Sequence, residues 1–347
     1  MNRRERVMAA INHQPPDRVP WSITLTPPTR KELADFYNCK DLNDPDVFDR
    51  WAGNHLKLPA QYENGFHKLE EEIAPGIWLD RFGITWDTRG MYGEGEWGRP
   101  LNPALSRPSL TGYSFPDPPG SDHFRQYDRF IEQNRDYFRV GDVGSLFETA
   151  WALRGMEDLL KDMIRHPAFV NELLDAILDY NLSVLPELAK RDFDALQIGD
   201  DWGSERGLIM GPHLWREYIK PRLAKMITRV KDAGKTVFLH SDGDLSAIFD
   251  DLIEIGLDVY NPLQPEILNV YEVHKKYGDR LCFWGGIGLR STLFLDSPAA
   301  VRANVHRLIR DIGADGGLIV AQAHPDGILA DAPLQNTIAL IEAVREQ

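Results

Sequence analysis

The stretch TVFLHSDGD, residues 236–244, decides how the chain is read. Four residues, TVFL, form a short β-prone run, and His240, Ser241, Asp242, Gly243 and Asp244 follow at once. A short apolar run that ends in polar and glycine residues is the signature of a buried strand reaching a sheet edge. The same pattern recurs at GDVGS (141–145), GDDWGSE (199–205), NPLQP (261–265), GGIGLR (285–290) and AHPDG (323–327). Between these runs lie helix-period segments, for example 155–191, 212–234, 298–313 and 333–346. Strands that alternate with helices predict βαβ units and a parallel sheet. About eight strands in a chain of this length predict a closed (β/α)8 TIM barrel, an α/β fold in which all strand ends meet at one mouth.

Working outward, residues 2–13 predict a helix stopped by Pro15 and Pro16, and 20–26 a first strand. Residues 27–75 read as helical with breaks. Residues 76–125 are dense in Gly, Pro, Trp and Tyr and predict a hairpin and long loops inserted in the N-terminal part, a candidate lid. No repeat or linker divides the 347 residues, so one domain spans 1–347.

The formal charge of -14, with no local basic cluster, argues against a nucleic-acid partner. No run approaches about 18 apolar residues, so no membrane span is expected. The N-terminus lacks a signal-peptide pattern. Only Cys39 and Cys282 occur, and nothing favours their pairing, which points to a reducing, cytoplasmic setting. The expected partner is a small molecule, and the expected assembly a homodimer.

In a barrel, His240 and Asp242 share one face of their strand end. His324 and Asp326 repeat the spacing, and Asp200, Asp201 and Glu205 stand at another strand end. An imidazole with several carboxylates suits a divalent metal, or a carboxyl with a raised pKa for proton transfer. Blander readings exist: Asp242–Gly243 suits a turn, Asp200–Asp201 suit helix caps, and Asp244 suits an N-cap. Trp151, Trp202, Gln264 and Arg290 are candidate substrate contacts, and Arg290 equally suits an ion pair. Nine tryptophans also leave a carbohydrate-active barrel with two catalytic carboxyls open.

RERVMAAINHQPPDRVP (4–20), ALQIGDDWGSERGLIMGPHLWREYIKPRL (195–223), VFLHSDGDLSAIFDDLIEIGLDVYNPLQ (237–264) and DGILADAPLQNTIALIEAV (326–344) resemble segments of the uroporphyrinogen decarboxylase superfamily. That resemblance implies a single (β/α)8 barrel and one of two activities. The decarboxylases carry an arginine-rich motif after the first strand, where this chain has SITLTPPTRKEL (22–33). Trp151 stands where they have a Tyr, and Asp326 where they have a His. The zinc methyltransferases carry an HxC motif that aligns with His240–Ser241–Asp242, and a later Cys that aligns with Asp326. The resemblance therefore implies a harder ligand set of His240, Asp242 and Asp326, with His324 or Glu205 as a fourth. Zinc fits such ligands, as do manganese and iron. The activity implied is metal-assisted methyl transfer from a small methoxylated or methylated compound to a corrinoid on a partner protein. Asp200, Asp201 and His324 are the catalytic candidates. A metal-independent decarboxylase, using Asp326 or His324 as proton donor, is the alternative.

Overall fold

A computed structural model describes residues 1–59, 69–89, 98–294, 296–323 and 327–347. Its strands are β1 (Leu56–Lys57), β2 (Leu69–Ala74), β3 (Ile77–Asp80), β4 (Thr85–Asp87), β5 (Arg99–Asn102), β6 (Phe138–Gly144), β7 (Ala195–Gly199), β8 (Gly203–Ser204), β9 (Gly207–Leu208), β10 (Thr236–His240), β11 (Val259–Leu263), β12 (Cys282–Ile287) and β13 (Leu318–Gln322). Seven of them form one curled sheet in the order β1-β6-β7-β10-β11-β12-β13, and all its pairings are parallel. Residues 20–26, expected as a regular strand, lie between its two edges as isolated bridges. Trp21 bridges Val320 and Leu25 bridges Ile328. On the other side the His55 amide donates to the Trp21 carbonyl at 2.9 Å, and the Ile23 amide donates to Asn54 Oδ1 at 2.8 Å. A side chain thus replaces a backbone rung, which is why the segment is not a continuous strand.

The alternation along β10 shows how the sheet is filled. Val237 and Leu239 face outward into the core shared with the helices, alongside Leu174, Leu223 and Val305. Phe238 faces inward, where it joins Phe138, Ala195, Val259, Cys282 and Ile319. Both faces are apolar, as expected of a parallel sheet covered on each side. Helix Arg3–Ile11 starts in a capping box between Asn2 and Glu5 and packs Val7, Ala10 and Ile11 against the inner layer. Hydrocarbon therefore fills the end of the sheet where the strands begin, and the polar strand ends lie at the other. Cys282 is buried in that inner layer, and both cysteines are free.

Two expectations need correction. Among the described residues of 27–75, Pro27–Phe36, Lys40–Asn43 and Pro45–Ala52 are helical, β1 and β2 are strands, and 60–68 lie outside the described set. Two-residue β1 is too short to carry a periodicity. Within 76–125 the expected hairpin pairing is present, with β3, β4 and β5 antiparallel and β2 added from the preceding segment, but helix Ser121–Gln133 begins where loop was expected, and residues 90–97 lie outside the described set. Its described aromatics turn into the core. Phe82 packs against Tyr180 with ring centroids 5.2 Å apart, and the Trp86 indole donates to Asp80 at 2.8 Å.

The inner layer carries a stability prediction. Phe238 is fully buried, 5.9 Å from Phe138 and 6.0 Å from Trp284 between ring centroids. Phe238→Ala should lower the unfolding free energy by about 3–5 kcal/mol in a urea titration, through lost transfer energy and a cavity. Ile164→Ala, at a side chain 74% exposed, should change it by less than about 0.5 kcal/mol.

Candidate functional site

The polar strand ends meet, and Asp200 organises them. Helix Phe147–Arg154 begins without a cap of its own. The Asp200 carboxylate supplies one from the end of β7. It accepts the amides of Leu146, Phe147 and Glu148 at 3.1, 2.9 and 2.7 Å, and the Trp202 indole at 2.8 Å. Burial pushes its carboxyl up to about 6, against the pull of those donors, so it remains a carboxylate at neutral pH. The capping alternative thus describes Asp200, whose oxygens are turned to the helix and not to a substrate. Trp202 is corrected too: it has no exposed surface and packs edge-on against Trp215, so it is closed to a substrate.

With Asp200 turned inward, Asp201 points to the mouth. Its Oδ1 accepts the Asp242 amide at 2.8 Å and lies 3.8 Å from His240 Nε2. Asp201, His240 and Asp242 each offer one ligand atom within 4.8 Å of the others. Two glycines let the loops approach this closely. A Cβ on Gly203 would stand 2.3 Å from the Asp242 carbonyl, and one on Gly243, at φ +92°, would stand 2.3 Å from the Gly203 carbonyl carbon.

Neighbours fix the orientation of the three groups. Gln264 Nε2 donates to Asp242 Oδ1 at 3.0 Å, and Gln264 Oε1 accepts the Gly243 amide at 2.8 Å. Gln264 is thus a brace for Asp242. Asn261 Nδ2 donates to the Trp284 carbonyl at 3.1 Å, so its Oδ1 is the atom 2.6 Å from His240 Nδ1. An acceptor there places a proton on Nδ1 and, in the neutral ring, leaves the Nε2 lone pair facing Asp201.

Two further carboxyls, not singled out in the sequence, complete the cluster. Asp142 near the end of β6 is pushed up to about 7 by burial, with His240 opposing the shift. Glu148 is raised well above the ordinary glutamate value by burial and by the charges of Asp201 and Asp200. Asp142 lies in GDVGS, whose strand-end position the sequence shows, and Glu148 on the helix that follows, but the sequence pattern does not carry the direction of either side chain. Of the remaining candidates, Glu205 is exposed in the β8–β9 hairpin and outside the three-residue group, Arg290 is exposed, and Trp151 is half-buried against the core. His324 and Asp326 lie outside the described residues.

The molecule is therefore an α/β protein with a curled parallel sheet and an acidic, histidine-bearing mouth. The model of the family described as Uroporphyrinogen decarboxylase (URO-D) matches residues 132–347. The chain belongs to that family. It is similar to the uroporphyrinogen decarboxylase of Chlorobaculum tepidum, 24% identical over 195 residues, 54% of this chain and 52% of that one. It is also similar to that of Thermus thermophilus, 23% identical over 189 residues, 53% of this chain and 50% of that one. The chain spans about half the length of the curated relatives it matches. Among solved structures, a methyltransferase from Methanosarcina mazei superposes with a TM-score of 0.73 at 17% identity, covering 100% of this chain and 99% of that chain. No helix among the described residues is long and apolar enough to cross a membrane.

The carboxyl cluster sets an unusual pH dependence. Asp142 and Glu148 hold protons more tightly folded than unfolded. Their contribution to stability is thus complete below the unfolded pKa and lost as pH rises through the folded one. In metal-free protein the melting temperature should fall between about pH 4 and about pH 7. Asp142→Asn should flatten that slope, as read by calorimetry across the range.

Proposed function

We propose that this protein is a metal-assisted methyltransferase on a (β/α)8 barrel whose remaining stave is residues 20–26. It would take a methyl group from a small methoxylated or methylated compound and pass it to a corrinoid on a partner protein. The observation that carries the reading is the convergence of Asp201, His240 and Asp242 within 4.8 Å. One imidazole nitrogen and two carboxylates are a fitting donor set for zinc or manganese. The fit is supported by the Asn261 brace, which leaves Nε2 as the ring's ligand atom, and by Asp200, which remains a carboxylate behind Asp201. A bound dication would supply Lewis acidity toward a substrate oxygen.

The residues then have separate tasks. Asp201, His240 and Asp242 hold the ion, Asp326 or His324 adds a ligand, and Asp200, Gln264 and Asn261 hold the holders in place. Cleavage of a methyl–oxygen bond leaves the electron pair on oxygen, which needs a proton to become the alcohol. Asp142, which burial raises to about 7 and which interacts with His240, can hold that proton at its carboxyl near neutral pH. The free cysteines support a reducing cytoplasmic setting, and a homodimer belongs to the same reading. Decarboxylation without metal is the second reading. It is favoured by the raised Asp142 and Glu148 carboxyls, which would serve as proton donors.

Metal analysis separates the two. Protein purified without chelator should carry close to one zinc or manganese ion per chain. His240→Ala and Asp242→Ala should abolish it, and Asn261→Ala should weaken it by about 10–100-fold. An enzyme equally active with and without chelator would favour the decarboxylase.

A further inference from the structure

Inside the sheet, below the metal-ligand cluster, the strands leave a cavity of about 220 Å³ with His240 in its wall. Two of its lining residues keep polar atoms that no described residue satisfies. Gln197 of β7 is 7% exposed and its Oε1 has no partner among the described residues. Trp284 of β12 is 9% exposed and its indole N–H has none. They stand three strands apart in the curled sheet, so the cavity is polar on two sides. A buried donor or acceptor left unpaired is costly, and such groups are rare in native folds unless something else meets them. The cavity offers no unpaired cation among the described residues. Lys57 is held by Asp49 at 3.0 Å, and His240 Nδ1 by Asn261 at 2.6 Å.

We propose that this cavity seats the methyl donor, and that the donor is a neutral hydroxylated compound no larger than one substituted ring. Its hydroxyl oxygen accepts from Trp284 Nε1, and its hydroxyl proton goes to Gln197 Oε1. The proposal rests on the methyl-transfer reading and narrows the class of its donor. The size limit follows from volume, since an apolar cavity of about 150 Å³ already accommodates benzene. The charge limit follows from the paired Lys57, because a carboxylate would enter without a counter-ion and lose its hydration. A polyanionic tetrapyrrole fails on both counts.

Calorimetric titration of the full chain, metal-free and zinc-loaded, tests this with three probes. Guaiacol is neutral and hydroxylated, anisole lacks the hydroxyl, and vanillate adds a carboxylate. Guaiacol should bind at least about tenfold more tightly than either of the others. Trp284→Phe and Gln197→Met should each weaken guaiacol by about tenfold and leave anisole almost unchanged. Equal binding of anisole, tighter binding of vanillate, or no binding of guaiacol would overturn the seat. These wild-type comparisons decide the matter even where a variant fails to fold. Guaiacol binding in the expected pattern without methyl transfer to cob(I)alamin would sink the methyl-transfer reading and leave the seat standing. Methyl transfer from anisole or vanillate as fast as from guaiacol would do the reverse.

Discussion

The Asp200 carboxylate holds the mouth together. It takes three amides from the start of helix Phe147–Arg154 and the Trp202 indole, and so ties the end of β7 to a helix that lacks its own cap. Each such charge-assisted bond is stronger than a neutral one, and the helix N-terminus favours a negative charge. The consequence is directional. Because Asp200 is spent on the helix, the next residue, Asp201, is turned toward β10 and meets His240 and the Asp242 amide. The same cap places Glu148 near Asp201 and Asp200, whose charges add to burial in raising the Glu148 carboxyl.

That crowding is the central electrostatic fact. Asp201 and Asp242 stand beside His240, Asp142 interacts with it, and Glu148 feels the charges of Asp201 and Asp200. Like charges this close either take up protons or gather a cation. In the proposed function a metal would sit on Asp201, His240 and Asp242 while Asp142 keeps its proton.

Much of this was legible in the chain, for reasons that are physical. Parallel strands buried on both faces must be apolar throughout, so TVFL, DALQI and LIVA stand out, and their polar ends mark one rim. Placing His240, Asp242 and the Asp200–Asp201 pair at that rim followed from the run boundaries alone. What periodicity does not carry is orientation. Asp200 and Asp201 are neighbours with opposite fates, one capping and one facing the mouth. Trp202 is sealed under the loop, where its indole serves Asp200. Glu148 sits on a helix whose direction is set by a residue 52 positions away. The two-residue β1 carries no pattern, yet it pairs with β6 and borders the segment 20–26.

The central claim is that Asp201, His240 and Asp242 bind one divalent ion together. Anomalous diffraction from crystals grown with manganese and measured above the manganese edge tests it directly. The expected result is a single strong peak about 2.0–2.3 Å from His240 Nε2 and from one oxygen of each aspartate. A map with no peak between these residues, from crystals that hold manganese elsewhere, would contradict it.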